Sequence, residues 1–302
     1  MAHIIYAGAW LKHYYPAALT AGIMANLPMG FYDVQTLIQD ARRHGITVRS
    51  VDVRTSHVHA ILEPDSPAGQ FAIRRGLTSV NGLSENAART VVTARSEQPF
   101  AGLEDFARRT GLPARLMEQL AIAGAFAAFD EHRRSALWTA GAFPRTRQPH
   151  LPGLGALSPA PDLPVMSPAE KTVADLAATG AGATSHPVHH ARPYLEHLGA
   201  LTAAAVRDLA DQTRVRLGGL AKYLQRPPTA KGVAFGALED ETGMVNLVFS
   251  PPVRERCRRT LLEAPAVLLD GHIEREHGAF NVIVHRAESL TVPTSTRPRR
   301  RR

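Results

Sequence analysis

The fold of this chain is decided by residues 76–129, which read GLTSVNGLSENAARTVVTARSEQPFAGLEDFARRTGLPARLMEQLAIAGAFAAF. The run Val80–Ser84 forms a turn, because Gly82 can adopt a positive φ and Ser84 can cap a following helix through its hydroxyl group. That helix is predicted over 85–95, where alanine and valine recur at i,i+4 spacing and form one apolar stripe. The stretch therefore begins with a helix-turn-helix hairpin.

A second hairpin follows directly. Its first helix, with Leu103 and Phe106 inward, is stopped by Gly111, and Pro113 begins another helix that ends at Gly124. Two tandem hairpins leave backbone N–H groups unpaired at helix N-termini, and that geometry suits phosphate oxygens without any contact to a base. A single turn of this kind is more typical of ordinary packing helices. The tandem arrangement favours binding to a nucleic-acid backbone.

Composition sets the outer bounds. A chain of 302 residues with 44% hydrophobic content suggests two or three domains with buried cores. The single cysteine, Cys257, excludes internal disulfides and a cysteine-based zinc site, which fits a reducing compartment. The sequence shows neither a signal peptide nor a membrane span, so we expect a cytoplasmic protein without a membrane partner.

The formal net charge is +8, and five of the positive charges are arginines at positions 297 and 299–302. This cluster follows two prolines and is predicted to be a disordered basic tail over 291–302. Such a tail adds non-specific, salt-sensitive attraction to polyanions. A solvated tail without a role is an equally good interpretation.

The first part of the chain is predicted to be helical. Helices are indicated before Pro16, over 17–26, and from an Asp33 cap to Gly45, and the β-branched run 46–53 indicates a strand. Four motifs from this region are Ala9-Trp10-Leu11-Lys12, Pro28-Met29-Gly30-Phe31-Tyr32, Gln39-Asp40-Ala41-Arg42-Arg43-His44-Gly45 and Val51-Asp52-Val53.

These motifs resemble the end of the fingers region of bacterial C-family DNA polymerases, and the error-prone members more than the replicative polymerase III alpha subunit. The resemblance continues to about Leu290. It implies that the tandem hairpins bind duplex DNA, that a single-strand-binding OB-fold follows, and that the role is translesion synthesis after DNA damage. It also implies a C-terminal part that lacks the PHP and palm regions.

A connector separates the hairpins from the last domain. Residues 141–165 are rich in proline and glycine and are predicted to be a surface linker. A capping box, Ser167–Glu170, then begins a helix that places Val173, Leu176 and Ala177 on one face. Thr202 is expected to cap one more helix.

Four histidines in this region have a spacing that could suit a metal: His186, His189, His190 and His197. No carboxylate or thiolate completes the set, so we expect no metal site here.

From 214 to 285 the period changes to two, which predicts five strands with a helix carrying Val253 and Cys257 between the third and fourth. That order is typical of an OB-fold barrel. Alternation predicts that Phe235 and Phe249 point inward, which leaves Tyr223 as the best candidate to stack on a base.

The predicted fold class is α+β with several domains. Their predicted order is the end of the fingers (1–66), the tandem hairpins (67–140), a linker with connecting helices (141–212), the OB-fold (213–290) and the tail (291–302). The residues predicted to bind DNA are Val80, Asn81, Gly82, Leu83, Ser84, Arg89, Gly111, Lys222, Tyr223, Arg226, Lys231 and Arg275.

Catalytic residues are not predicted in this chain. Two-metal nucleotide transfer needs closely spaced carboxylates, whereas the acidic cluster Glu239–Glu241 lies on a predicted β-turn. We therefore expect no catalytic centre, no metal and no cofactor, with Mg²⁺ required only by an intact polymerase. In the family the catalytic acids lie in the palm, N-terminal to the regions matched here.

The favoured hypothesis is the DNA-binding C-terminal portion of an error-prone polymerase, inactive alone. Its predicted partners are duplex and single-stranded DNA, with accessory mutagenesis proteins or the N-terminal polymerase part as further candidates. A free-standing DNA-binding protein and a decayed polymerase remnant stay open as alternatives. RNA or tRNA binding through the barrel is a weaker one.

Overall fold

The structure, a computed structural model, describes residues 2–28, 33–66, 69–129, 132–142, 160–182, 184–276 and 279–290. Three predictions lie wholly or mostly outside these ranges: the Met-Gly-Phe-Tyr part of one fingers-like motif, most of the linker, and the basic tail. The chain divides into two compact units, 1–185 and 186–302.

The first unit is mainly helical. Its helices are α1 (Ala2–Tyr14), α2 (Pro16–Ala25), α3 (Val34–Arg43), α4 (Glu85–Glu97), α5 (Leu103–Thr110), α6 (Ala114–Ile122), α7 (Arg133–Ala142) and α8 (Pro168–Thr179). Asp33 caps α3 as predicted, because its carboxylate accepts a 2.7 Å hydrogen bond from the N–H of Thr36.

A small three-stranded sheet joins these helices. It consists of β1 (Val48–Arg49), β2 (Ile61–Pro64) and β3 (Phe71–Arg74) in the order β1-β3-β2, with β1 parallel and β2 antiparallel to β3. The strand predicted over 46–53 is therefore mostly wrong. After β1 the chain leaves the sheet, and Val53 is buried in the helical core, where its N–H donates a 3.0 Å hydrogen bond to Ala125.

Aromatic side chains form the centre of the helical core. Phe106 packs edge-on against Phe100 and Phe126, with ring centroids 4.9 and 5.2 Å apart. Met117 and Leu120 of α6 are fully buried against the same cluster. Each such side chain stabilises the fold by about 1.5–3 kcal/mol through its burial, so this core holds both hairpins.

Helix α8 begins at the predicted capping box, but the predicted apolar face is wrong. Val173 is 65% exposed, whereas Thr172, Asp175 and Thr179 are buried. The polar face of α8 is turned inward because two arginines, Arg133 and Arg75, lie beside it. Arg133 lies 2.7 Å from the Asp175 carboxylate.

A second buried cation binds the end of α8. Arg75 is 1% exposed and donates hydrogen bonds of 2.6 and 2.8 Å to the hydroxyl and carbonyl oxygens of Thr179. Burial lowers the pKa of Arg75 to about 10, while the nearby Asp175 opposes that shift. A positive charge at a helix C-terminus complements the helix dipole, so Arg75 fixes α8 to the first unit.

The second unit is a β-barrel with two helices. Its elements are α9 (Pro187–His197), β4 (Arg214–Gln225), β5 (Ala234–Glu239), β6 (Met244–Phe249), α10 (Pro251–Glu263), β7 (Val267–Glu276) and β8 (Ala279–Ser289). The strand order β4-β5-β6-β8-β7 closes on itself, with β6 and β8 parallel and the other neighbours antiparallel. This is the predicted OB-like barrel, and Val253 and Cys257 of α10 close its core.

Thr202 and His186 have roles that differ from those considered in the sequence analysis. The α-helix that Thr202 was expected to cap is a 3₁₀ turn over Ala205–Asp208, and the hydroxyl of Thr202 accepts a 3.1 Å hydrogen bond from the N–H of Ala205. His186 caps α9, because its Nδ1 accepts a 3.2 Å hydrogen bond from the N–H of Val188. In the described part of the chain, no three histidine, cysteine or acidic side chains form a metal-binding group.

Phe249 is buried in the barrel as predicted, but the inward orientation predicted for Phe235 is wrong, since Phe235 is 40% exposed. The inward positions of β5 are those of Ala234 and Leu238, one residue out of phase with Phe235. Ala234 and Gly236 are too small to mark the inward face of β5 by their hydrophobicity. A strand assigned one residue out of phase has every side chain on the wrong face.

Candidate nucleic-acid interface

The first hairpin turn is held by hydrogen bonds within the turn and by a serine cap. A single 3₁₀ turn, Leu77–Ser79, precedes it in place of a full helix. The N–H of Leu83 donates to the carbonyl of Val80 at 3.0 Å, and Gly82 has φ +82°. Ser84 caps α4 as predicted, because its Oγ accepts a 3.2 Å hydrogen bond from the N–H of Ala87.

These bonds leave a group of outward donors. Among the described residues, no acceptor lies within hydrogen-bonding distance of the backbone N–H groups of Gly82, Ser84, Glu85 and Asn86. All four belong to the turn or to the first turn of α4, where the helix dipole is positive. The hairpin therefore presents main-chain donors suited to a phosphate oxygen.

Asn81 faces the opposite way. Its backbone N–H donates a 2.7 Å hydrogen bond to the carbonyl of Ala178, and its side-chain amide donates a 2.7 Å bond to the carbonyl of Ala177. Both bonds join Asn81 to the last turn of α8. Asn81 therefore helps to hold the turn, and its contact with DNA stays a prediction.

A carboxylate lies beside the outward donors. Glu85 is the first residue of α4 and forms an ion pair with Arg89, and its carboxylate lies 3.7 Å from Nε2 of His59. The hydrogen bond from Arg89 keeps the pKa of Glu85 below its usual value, so the carboxylate stays ionised. The positive charge of Arg89 is therefore compensated by Glu85, and its contact with DNA stays a prediction.

The second hairpin repeats the arrangement. Gly111 has φ +57° and closes α5. Pro113 occupies the cap position of α6, so that the helix begins at Ala114, one residue after the predicted start. Among the described residues, the backbone N–H groups of Leu112, Ala114 and Arg115 have no acceptor. The side chain of Arg115 is exposed, without an ion-pair partner in the described ranges.

The two hairpins lie side by side. A Cβ added to Gly82 would come 3.8 Å from Leu116, which lies in the first turn of α6. The two turns are therefore neighbours, and we call residues 82–86 and 112–115 together the hairpin surface. Arg115 was not among the residues predicted from the sequence to bind DNA. Its position in the first turn of the helix after Pro113 could have indicated it.

The barrel presents two exposed aromatic rings on the outer face of β4 and β5. Tyr223 is 43% exposed and Phe235 is 40% exposed. The pairing of β4 with β5 shifts register between Lys222 and Leu224, so Tyr223 is the extra residue of a bulge. The bulge turns the tyrosine outward, because the residue in a bulge is released from the ladder.

The predicted cations of the barrel divide into two groups. Lys222 lies 2.9 Å from the buried carboxylate of Glu239, and Arg275 donates hydrogen bonds of 3.2 and 3.0 Å to the carbonyl of Leu209. Both therefore serve the fold. Arg226 and Lys231 are exposed and lack an ion-pair partner in the described part of the chain.

A family model described as a helix-hairpin-helix motif matches residues 45–136, which include both hairpins. The error-prone DNA polymerase of Mycolicibacterium paratuberculosis is 40% identical over 299 residues, which are 99% of this chain and 27% of that protein. The corresponding protein of Corynebacterium efficiens is 40% identical over 292 residues, 96% of this chain and 26% of that protein. This chain resembles a part of the error-prone DNA polymerases.

The resemblance to error-prone polymerases that the fingers-like motifs predicted is thereby confirmed, over about a quarter of the length of those relatives. Among solved structures, an asparaginyl-tRNA synthetase from Pyrococcus horikoshii is similar to this chain, with 21% identity and a TM-score of 0.27. The similar region covers 31% of this chain and 22% of that protein. A likeness of that extent carries no argument. No helix in the described ranges is long and apolar enough to cross a membrane.

Proposed function

We propose that this chain is the DNA-binding portion of an error-prone DNA polymerase, and that the hairpin surface holds the duplex part of the primer-template. The observation that carries the proposal is the set of outward backbone N–H groups in residues 82–86 and 112–115, which lack acceptors among the described residues. Main-chain donors bind phosphate oxygens whatever the base sequence, as a polymerase requires of its duplex contacts.

The barrel is proposed to hold the single-stranded template. Tyr223 and Phe235 offer faces on which bases can stack, and Arg226 and Lys231 offer positive charge near the same strands. Base stacking on aromatic rings tolerates any sequence, because every base has a π face.

A third surface is proposed to contact another part of the polymerase. Helix α1 exposes Ile4, Ile5 and Tyr6 to 74%, 70% and 72%. Apolar patches of this kind mark protein interfaces, and the relatives extend well beyond the matched region. We therefore favour a role together with further polymerase sequence, which would supply the Mg²⁺-dependent chemistry, over a free-standing DNA-binding protein.

The test compares two glycine variants in the full chain. Gly82→Val places a β-branched residue at φ +82°, whereas Gly102→Val is the matched control. Gly102 has an extended φ of 177°, and no atom lies within 4 Å of an added Cβ. We expect Gly82→Val to weaken binding of a short DNA duplex by about tenfold or more, as lost charge-assisted hydrogen bonds imply.

Fluorescence anisotropy with labelled duplex gives the affinities, and circular dichroism shows whether each variant is folded. The Gly102→Val control should bind duplex like the unmodified chain. A folded Gly82→Val protein with unchanged duplex affinity would overturn the proposal.

A further inference from the structure

A β-bulge on β8 presents a histidine on the side of the barrel formed by β4, β7 and β8. Val284 pairs with Gly271 and Arg286 pairs with Asp270, so His285 is the extra residue between them. Gly271 makes the bulge possible, because a Cβ there would lie 2.4 Å from the carbonyl oxygen of Ile283. Bulges commonly redirect a side chain beside a functional site.

The bulge places His285 over a second histidine. Its Nε2 lies 2.8 Å from Nδ1 of His272, and the two rings stack with centroids 4.9 Å apart. This hydrogen bond uses one nitrogen of each ring. Within the described part of the chain, the other two ring nitrogens, Nε2 of His272 and Nδ1 of His285, make no hydrogen bond.

An arginine completes the group. Arg214 is the direct cross-strand neighbour of His272, and its exposed guanidinium has no ion-pair partner among the described residues. Arg214 and His285 line a groove of about 720 Å³ whose other walls include Leu198 and Gly199 at the end of α9. The groove is thus lined by Arg214 and His285, and His272 is hydrogen-bonded to His285.

The acidic residue in this groove is already neutralised. Asp270 accepts two hydrogen bonds from Arg216, at 2.6 and 3.1 Å. Arg216 also donates a 3.2 Å hydrogen bond to the carbonyl of Leu198, so its donors serve the fold. A second carboxylate, that of Asp211, lies near His272 and accepts a 2.9 Å hydrogen bond from the N–H of Arg275. Arg214 is therefore the cation of this group that has no ion-pair partner among the described residues.

We propose that Arg214, His272 and His285 form a phosphate-binding site on the β4–β7–β8 face, which takes a phosphodiester of a single DNA strand. A guanidinium and imidazole N–H groups are donors that match phosphate oxygens. A metal ion fits less well, because the arginine beside His272 repels cations and no third ligand joins the two rings. The choice of DNA as the source of the phosphate rests on the proposed function.

This site is separate from the exposed aromatic rings. Tyr223 and Phe235 lie on the outer face of β4 and β5, whereas the histidine pair lies on β7 and β8. The barrel would therefore contact a strand on two faces: one face would stack bases, and the other would hold the backbone. Loss of one contact should leave the other measurable.

The experiment uses the full chain with two probes, inorganic phosphate and a single-stranded thymidine oligonucleotide. The variants are Arg214→Ala, which leaves the bulge intact, and His285→Gln. Arg259→Ala is the charge-matched control, because Arg259 is 86% exposed and pairs at 3.0 Å only with Glu263 on its own helix. Histidine NMR signals report phosphate binding, and fluorescence anisotropy reports oligonucleotide binding.

We expect Arg214→Ala and His285→Gln each to lower the affinity for both probes by about tenfold, the loss that one charge-assisted hydrogen bond implies. The salt dependence of oligonucleotide binding should also fall by about one phosphate contact. Arg259→Ala should change either affinity by less than about twofold. Equal losses in Arg214→Ala and Arg259→Ala would show a non-specific charge effect and overturn the site.

Loss of phosphate binding with unchanged oligonucleotide affinity would overturn the assignment to a DNA strand. Tyr223→Ala should reduce oligonucleotide affinity and leave the phosphate-induced histidine shifts unchanged. Phosphate binding is measured without DNA, so this measurement tests the site even if Gly82→Val leaves duplex binding unchanged.

Discussion

The backbone N–H of Asn81 donates a 2.7 Å hydrogen bond to the carbonyl oxygen of Ala178, and this contact joins the first hairpin turn to the last turn of α8. The side-chain amide of Asn81 adds a second bond to Ala177, 96 positions further along the chain. The inner side of the turn is thereby saturated. The outer N–H groups of Gly82 and Ser84 stay available because the turn is held from behind.

Asn81→Ala removes the side-chain bond to Ala177 and keeps the backbone bond to Ala178. We expect the free energy of unfolding to fall by about 1 kcal/mol, the usual net value of one hydrogen bond. Asn86→Ala is the control, because Asn86 is exposed and its side-chain amide makes no hydrogen bond within the described ranges. Urea unfolding gives both values, and equal stabilities of the two variants would contradict the prediction.

Asp175→Asn removes the carboxylate that lies against the half-buried Arg133 and near the buried Arg75. Asp175 is 2% exposed and 2.7 Å from Arg133. We expect a loss of about 3–5 kcal/mol, as is typical when one partner of a buried ion pair is removed. The control, Glu263→Gln, breaks an exposed pair with Arg259 and should cost less than about 1 kcal/mol.

Thermal unfolding measures both variants. A loss for Asp175→Asn as small as that of the surface control would show that the inward polar face of α8 contributes little to stability.

Glu63 should make the small sheet sensitive to acid. Its carboxylate accepts hydrogen bonds from Arg74 at 2.9 Å and from Arg49 at 2.6 Å, and these bonds, that from Arg74 first, lower the pKa of Glu63. Because the folded-state pKa is lowered, the stabilisation is complete above the unfolded pKa of about 4.3 and is lost as the pH falls through the folded value.

Glu63→Gln should therefore be less stable than the unmodified chain near neutral pH, and the difference should shrink on acidification. Urea midpoints measured across the acidic range test this. A difference that stays constant with pH would mean that the charge of Glu63 is not the source of the stability.

Tyr223→Ala and Phe235→Ala should each weaken binding of single-stranded DNA by about 1–3 kcal/mol, the value expected for one lost stack. Duplex affinity should not change, since duplex binding is assigned to the hairpin surface. Phe71→Ala is the matched control, because Phe71 is 50% exposed on the small sheet of the first unit. Competition between labelled single strand and duplex separates the two activities, and a parallel loss of both in either variant would contradict separate sites.

Local interactions explain what could be predicted from the sequence. The cap at Asp33, the turn glycines at 82 and 111, and the capping box at Ser167 depend on neighbours within a few residues, so their residue types alone indicate them. The order of strands and helix in the barrel also follows from alternation and spacing. The resemblance to error-prone polymerases rests on such local motifs, whereas the residues assigned to DNA contacts and the cytoplasmic location stay predictions.

The amino-acid sequence by itself determined the two hairpins, the barrel and their succession, because turn chemistry and hydrophobic period are properties of short stretches. Only the tertiary structure decided which donors remain outward, since Asn81 and Lys222 are consumed by partners far away in the chain. It also decided the bulges that expose Tyr223 and His285. A shift of register depends on the neighbouring strand, and no single stretch of sequence contains that strand.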